Sequence, residues 1–188
     1  MQVVRRTLDD RDADGALLAE VARGDRRAFR RLHERFHARL YGFALRTGLG
    51  ADQADEATND TLLAVWRSAA TFEGRSTVAT WIFGIAYRQA MRRHRRTRLD
   101  RALLPLEDAP ATAWADNVAV LRVEQGADLA GAMARLDPEQ RALVEMTYVW
   151  GFSVQEAADV VGCPPGTIKS RMARARHVLR RALEGGER

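Results

Sequence analysis

Residues 153–176 read SVQEAADVVGCPPGTIKSRMARAR, and the fold follows from how this stretch divides. Ser153, with Glu156 three residues on, makes a capping box at the start of a short helix. Gly162 to Pro165 form a tight turn, and a long basic helix follows to about Leu183. A capped short helix, a glycine turn and a second helix are the parts of a helix-turn-helix. On the second helix Ile168, Met172, Ala175 and Leu179 form one apolar stripe and belong to a core. Lys169, Ser170, Ala173, Arg174 and His177 therefore point outward, on a face that fits a major groove. Arg171 and Arg176 lie on the flanks, where phosphate contact suits them better than base reading. The competing explanation is an ordinary surface helix of an arginine-rich protein, and the turn chemistry before the helix argues against it.

Upstream, Asp137-Pro138 starts a helix to about Val149, with Asp at the cap and Pro at the first helical position, and Gly151 breaks it. A shorter helix ends at Leu136. Strand signals are nearly absent in the rest of the chain, so the fold class is all-α. Asp12 or Asp14 can cap a first helix through Val21. A second, from about Asp25 to Thr47, lines up Phe29, Leu32, Phe36, Leu40 and Phe43, and Gly48 and Gly50 stop it. A third, about Asp52 to Ser68, sets Ala54, Ala57, Thr61, Leu62 and Val65 on one side and Asp52, Asp55, Glu56, Asn59 and Asp60 on the other. After a polar loop, Phe72 to Ser76, a fourth runs from about Thr77 to Arg96, apolar around much of its girth.

That fourth helix ends in Arg88, Arg92, Arg93, Arg95, Arg96, Arg98 and Arg101, a phosphate-binding candidate. From Leu103 to Asp128 the sign reverses, with Glu107, Asp108, Asp116 and Glu124 among prolines and alanines. This predicts two small helical domains, 1–98 and 127–188, joined by a flexible linker at 99–126.

Thirty Lys and Arg against 25 Asp and Glu, with a pI near 10.2, favour a polyanionic partner. The single cysteine, Cys163, excludes an internal disulfide, and no apolar run reaches the ~20 residues that span a bilayer. With no signal-peptide core in Met1 to Asp14, the expected location is cytoplasmic. Cys163 reads as a small filler of the turn, although its place before a helix N-terminus can activate a thiol. Trp66, Trp81 and Trp150 read as core, and Trp114 as a docking anchor in the linker.

One motif argues for an enzyme instead. His33-Glu34-Arg35-Phe36-His37 is a formal H-E-x-x-H, with Glu56 and Asp60 beyond it as candidates for a third zinc ligand. The core stripe of that helix, however, puts both histidines at its edge and Glu34 in solvent. Two boundary histidines account for the pattern, and no metal or other cofactor is expected.

Cys163-Pro164-Pro165-Gly166-Thr167-Ile168-Lys169-Ser170-Arg171, followed by Arg174-Ala175-Arg176, resembles the promoter-reading helix of extracytoplasmic-function (ECF) sigma factors. Leu136-Asp137-Pro138-Glu139-Gln140-Arg141 and Gly151-Phe152-Ser153 are similar to the start of their C-terminal domain. Phe72-Glu73-Gly74, Trp81-Ile82 and Ile85-Ala86 stand where the family opens promoters. The resemblance covers roughly residues 14 to 184.

It implies an initiation factor without catalytic activity, working by binding energy on core RNA polymerase and promoter DNA. By position, Lys169, Ser170, Arg171, Ala173, Arg174, Arg176 and His177 would serve the -35 element, with Ala173 leaving that site less crowded than a larger side chain would. Phe72, Arg75, Ser76, Thr77, Tyr87, Arg88 and Arg92 would hold an unstacked -10 strand. Asp52, Asp55, Glu56, Asn59 and Asp60 would dock on the polymerase clamp helices. Glu56, Asn59 and Asp60 replace the family's usual Asp, Gln and Glu, which keeps polarity and changes reach. Arg88 and Arg92 replace the usual Asn and Asp, which alters how the -10 strand is held. The resemblance also implies control by an anti-sigma partner, often membrane-bound. The rival class is a stand-alone DNA-binding regulator, which would have no need of the acidic helix.

Overall fold

The computed structural model describes residues 8–102 and 127–184, and all regular structure among them is helical. The acidic linker segment from Leu103 and its Trp114 lie outside the described residues. The N-terminal unit comprises α1 (Leu8–Ala22), α2 (Arg26–Arg46), α3 (Ala51–Ser68), a 3-10 turn (Ala69–Thr71) and α4 (Val78–Ala102). The C-terminal unit comprises α5 (Ala127–Ala134), α6 (Pro138–Val144), a π turn (Glu145–Val149), α7 (Val154–Val161) and α8 (Pro165–Glu184).

Local chemistry sets the helix starts. Asp25 accepts from the Arg27 and Ala28 amides at 2.7 and 3.1 Å, and those bonds hold its carboxyl below the usual range. Asp137 and Ser153 each close a capping box, with Gln140 and Glu156 respectively. Gly162 ends α7 in the left-handed region at φ 75°, where an L side chain would be strained.

Two boundaries differ from the sequence reading. Asp14 does not cap α1; it lies inside that helix, buried, with its Oδ1 2.7 Å from Arg35 Nε. α4 continues through Ala102, so residues 99–102, read as linker, are helical. The Arg96–Asp100 pair, one helical turn apart at 4.0 Å, gives that extension modest support.

Leu32, Phe36, Leu40 and Phe43 of α2 are fully buried against α3 and α4, around Leu62, Val65, Ile82 and Phe83. α4 shows no single apolar stripe because it is covered on several sides: by α1, α2 and α3 of its own unit and by α7 of the other. The apolar core thus runs from one unit into the other. Phe83 meets Trp150 and Phe152 at ring-centroid distances of 5.5 and 5.3 Å. Trp66 and Trp81 pack against the same core from its edge.

Candidate nucleic-acid and polymerase interfaces

Three surfaces carry the residues singled out from sequence, and they differ in how open they are. On α8, Ile168, Met172 and Ala175 are buried, which turns Lys169, Ser170, Ala173, Arg174, Arg176 and His177 to solvent. The Ser170 hydroxyl donates to the Thr167 carbonyl at 2.9 Å, leaving its lone pairs to accept. Arg171 is half-buried and donates to Glu139 of α6 at 2.8 Å, so it braces α8 against its own unit. The helix presents a basic convex face, with bidentate donors at Arg174 and Arg176.

The second surface is the outer side of α3. Asp52, Asp55, Glu56, Asn59 and Asp60 are all exposed, and Asn59 donates to Asp55 at 3.1 Å. The apolar Leu63, 44% exposed, extends this face by one turn. Arg93, which the sequence reading placed in a phosphate-binding run, reaches across from α4 to Asp60 at 2.8 Å, with Glu56 at 3.8 Å. Part of the acidic face is thereby neutralised from within. Spacing along one helix carries no trace of such a contact.

The third surface is the loop before α4 together with that helix. Phe72 packs its ring against Trp81 at 5.4 Å, and Arg75 folds back onto Glu73. The Thr77 hydroxyl accepts from the Thr80 amide at 3.1 Å and so caps α4. Ser76 is half-buried, while Arg88 and Arg92 are exposed. Tyr87 is not open: it is buried at the junction of the units, and burial pushes its hydroxyl up to about 12, with Glu139 adding to the rise and Arg171 opposing it.

The junction holds polar groups that the sequence reading passed over. Arg46 Nε donates to Glu145 at 2.5 Å, and its guanidinium lies 5.6 Å from the Trp150 ring centre. Glu145 is 3% exposed, and burial raises its carboxyl above the usual range although Arg46 pulls the other way. Its place in the apolar run Ala142–Met146 was the available signal that a partner had to exist. Arg141 donates to the Met133, Ala134 and Leu136 carbonyls and to Thr47 at 3.3 Å, tying the end of α5 to the end of α2.

The H-E-x-x-H stretch is placed as its stripe requires. His33 and His37 are half-buried and stack on each other at 4.9 Å, Tyr41 stacks next along α2, and Glu34 faces solvent. Among the described residues no group of three His, Cys, Asp or Glu is placed to hold a metal. Among them, too, no helix is long and apolar enough to cross a membrane.

Residues 32–99 match the Sigma-70 region 2 family, and residues 127–179 match Sigma-70, region 4. The chain is 36% identical to the ECF RNA polymerase sigma factor SigM of Mycobacterium tuberculosis, over 91% of this chain and 85% of that one. It is 35% identical to the ECF RNA polymerase sigma factor RpoE of Cereibacter sphaeroides, over 85% of this chain and 88% of the relative. Among solved structures it is similar to CnrH in complex with the cytosolic domain of CnrY, with TM-score 0.70 and 26% identity over 93% of this chain and 99% of that one. It is also similar to the sigma factor RpoE in complex with the anti-sigma factor NepR from Bartonella quintana, with TM-score 0.62 and 28% identity over 83% of this chain and 96% of that one. An exposed basic recognition helix, an exposed acidic helix and matches to regions 2 and 4 at the two ends agree that this chain belongs to the ECF RNA polymerase sigma factors of the sigma-70 family, which are initiation factors and not enzymes.

Proposed function

We propose that the chain directs core RNA polymerase to promoters, with a separate surface for each of three partners. Asp52, Asp55, Glu56, Asn59 and Asp60 dock on a basic helical element of the polymerase. Lys169, Ser170, Arg174 and His177 read duplex -35 DNA, while Arg171 and Arg176 serve its phosphates and Ala173 leaves room for a base edge. Phe72, Arg75, Ser76, Thr77, Arg88 and Arg92 hold the melted -10 strand, where arginines in place of shorter polar side chains add backbone attraction, while Tyr87, buried at the junction of the units, supports α4 beneath them. The division of labour follows 1–98, 99–126 and 127–188, with the acidic linker running along the polymerase's basic channel between the grips. The chain acts in the cytoplasm and needs no cofactor. An anti-sigma partner holds it in check, a reading supported by CnrH and RpoE, whose similar structures are complexes with CnrY and NepR.

The observation that carries this reading is the exposed acidic face of α3 beside the helix-turn-helix, since a simple repressor has no use for that face. Run-off transcription of sheared genomic DNA with purified core polymerase, with mapping of the new 5′ ends, tests it. Wild type should start transcripts at a defined set of sites. A variant with Asp55, Glu56, Asn59 and Asp60 all changed to alanine should lose core binding and those starts while staying folded. If neither protein associates with core polymerase and both bind duplex DNA, the chain is a conventional regulator.

A further inference from the structure

We infer that Glu139 sets promoter specificity from outside the reading face: it competes with DNA phosphate for the Arg171 guanidinium and gives it up only when α8 is fully seated in a cognate groove. This rests on the initiation-factor reading above, and both residues belong to the C-terminal unit. Arg171 serves as a brace in the free chain and as a phosphate contact on DNA. A phosphate arriving while the carboxylate still holds the guanidinium would meet a second negative charge at close range, a repulsion that favours one anion at a time.

The geometry sets up this competition. Arg171 Nη1 donates to Glu139 Oε2 at 2.8 Å, across from α8 to the first turn of α6. The Arg171 side chain is 34% exposed and the Glu139 side chain 52%, so water reaches the pair and its exchange is cheap. The backbone that carries Glu139 is pinned. Pro138 opens α6, Asp137 and Gln140 close the capping box, and Arg141 donates to the Met133, Ala134 and Leu136 carbonyls. The carboxylate cannot follow the guanidinium far, so Arg171 has to let go of it to reach outward. One turn on, Arg174 stands on the exposed face, whereas Arg171 lies between that face and the buried stripe of Ile168, Met172 and Ala175. Arg174 therefore meets DNA before Arg171 does.

Right and wrong sequences are then treated differently. On a noncognate duplex Lys169, Ser170 and Arg174 find no matching base edges, α8 stays shallow, and Arg171 remains on Glu139. One phosphate contact is withheld from a binding mode that depends on such contacts. On a cognate duplex the base-edge contacts draw α8 inward, the DNA backbone reaches Arg171, and carboxylate is traded for phosphate. The half-exposed Glu139 then stays solvated, so the trade strands no charge.

The test is equilibrium binding of the full chain on core polymerase to a duplex with a mapped start site, and to the same duplex with its upstream element scrambled, across salt concentration. Wild type should show a salt slope steeper by about one unit on the intact duplex, the mark of one extra phosphate contact. Glu139→Gln should abolish that difference by steepening the scrambled slope. It should tighten binding to the scrambled duplex about five- to tenfold at about 0.1 M salt, the worth of one phosphate contact. The intact duplex should gain only about two- to threefold, the worth of the exposed pair. Arg171→Ala should lower the intact slope by about one unit and leave the scrambled slope alone. Adding Glu139→Gln to Arg171→Ala should change neither slope further, because Glu139 acts through Arg171. A pair that only braces α8 predicts the opposite sign: Glu139→Gln would weaken binding to both duplexes, and that result overturns the inference. It is overturned equally by an unchanged scrambled slope in Glu139→Gln, by an unchanged intact slope in Arg171→Ala, or by a further effect of Glu139→Gln once Arg171 is gone. A wild-type chain that binds no core polymerase or yields no mapped starts would instead refute the initiation-factor reading, whatever Glu139 does.

Discussion

Arg46 and Glu145, ninety-nine residues apart in sequence, meet at 2.5 Å with the carboxylate almost wholly out of water. Arg46 closes the end of α2, and Glu145 opens the π turn, whose last bond runs from the Trp150 amide to the Glu145 carbonyl at 3.0 Å. One pair thus joins the N-terminal bundle to the unit that carries the recognition helix. A buried pair of this kind adds little over an apolar match, and breaking one side of it is costly because a charge is left stranded.

Arg46→Ala should therefore destabilise the chain by about 3 kcal/mol in urea unfolding, and Glu145→Gln by clearly less. The pH response separates this from simple loss of packing. Glu145 has its folded-state pKa raised, so its contribution is fully present on the acid side of its unfolded pKa and is lost as pH rises through the folded value. Removing Arg46 takes away the influence that pulls this pKa down, so the loss with rising pH becomes steeper. A pH profile of Arg46→Ala that parallels wild type would show that the two residues are not coupled.

The elements of the fold were legible from local chemistry, because a cap declares itself within four residues. Asp137 and Ser153 each stand one position before a helix and bond the amides that the spacing called for, and Asp25, read only as the start of α2, caps that helix in the same way. The faces of α3 and α8 were legible too, since each helix has one neighbouring side and one wet side. α4 resisted this treatment because it is packed on several sides and shows no periodicity to read. Arg93 with Asp60, Arg46 with Glu145 and Tyr87 under the C-terminal unit join residues far apart in sequence. An arginine in a basic run looks the same whether it awaits phosphate or already holds a carboxylate.

His94 sets a pH limit on the junction. Burial, with Arg141 nearby, holds its imidazole down to about 4, although the Thr47 carbonyl accepts a hydrogen bond from it and works the other way. The folded chain favours the neutral ring, so as pH falls from the ordinary histidine value near 6.5 towards 4 the unfolded state takes up a proton that the folded state refuses. Stability should drop by about 2 kcal/mol between pH 7 and pH 5 from this group alone. Thermal melts of His94→Gln should show a flatter profile over that window, and an unchanged slope would remove His94 as the cause.

On α8, Lys169→Ala and Arg174→Ala should each weaken initiation at cognate promoters ten- to a hundredfold, the range of about 1–3 kcal/mol for lost base-edge contacts. Arg176→Ala should weaken all promoters alike and lower the salt slope of binding by about one unit, as a phosphate contact does. Both sets leave the buried stripe of Ile168, Met172 and Ala175 untouched, so helix content should not move. Start-site mapping across salt concentrations distinguishes them: a uniform loss for Lys169→Ala would reassign it to the backbone.

Arg93 makes the sharpest test of the acidic face, because its removal should strengthen an interaction. Its side chain is only 16% exposed and engages Asp60, with Glu56 close by. Arg93→Ala frees both carboxylates, which stay solvated on the outer side of α3, and makes that face more negative. If a basic helical element of polymerase docks there, core association at low ionic strength should tighten about two- to fivefold, the worth of one exposed ion pair. The gain should fade as salt shortens the Debye length below about 10 Å. The Arg93→Ala, Asp60→Asn double variant should lose most of it, since the freed charge is then gone. Weaker association of Arg93→Ala at every salt concentration would mean that Arg93 itself touches the partner, or that it orients Asp60 for the contact, and would reverse the role assigned to the pair.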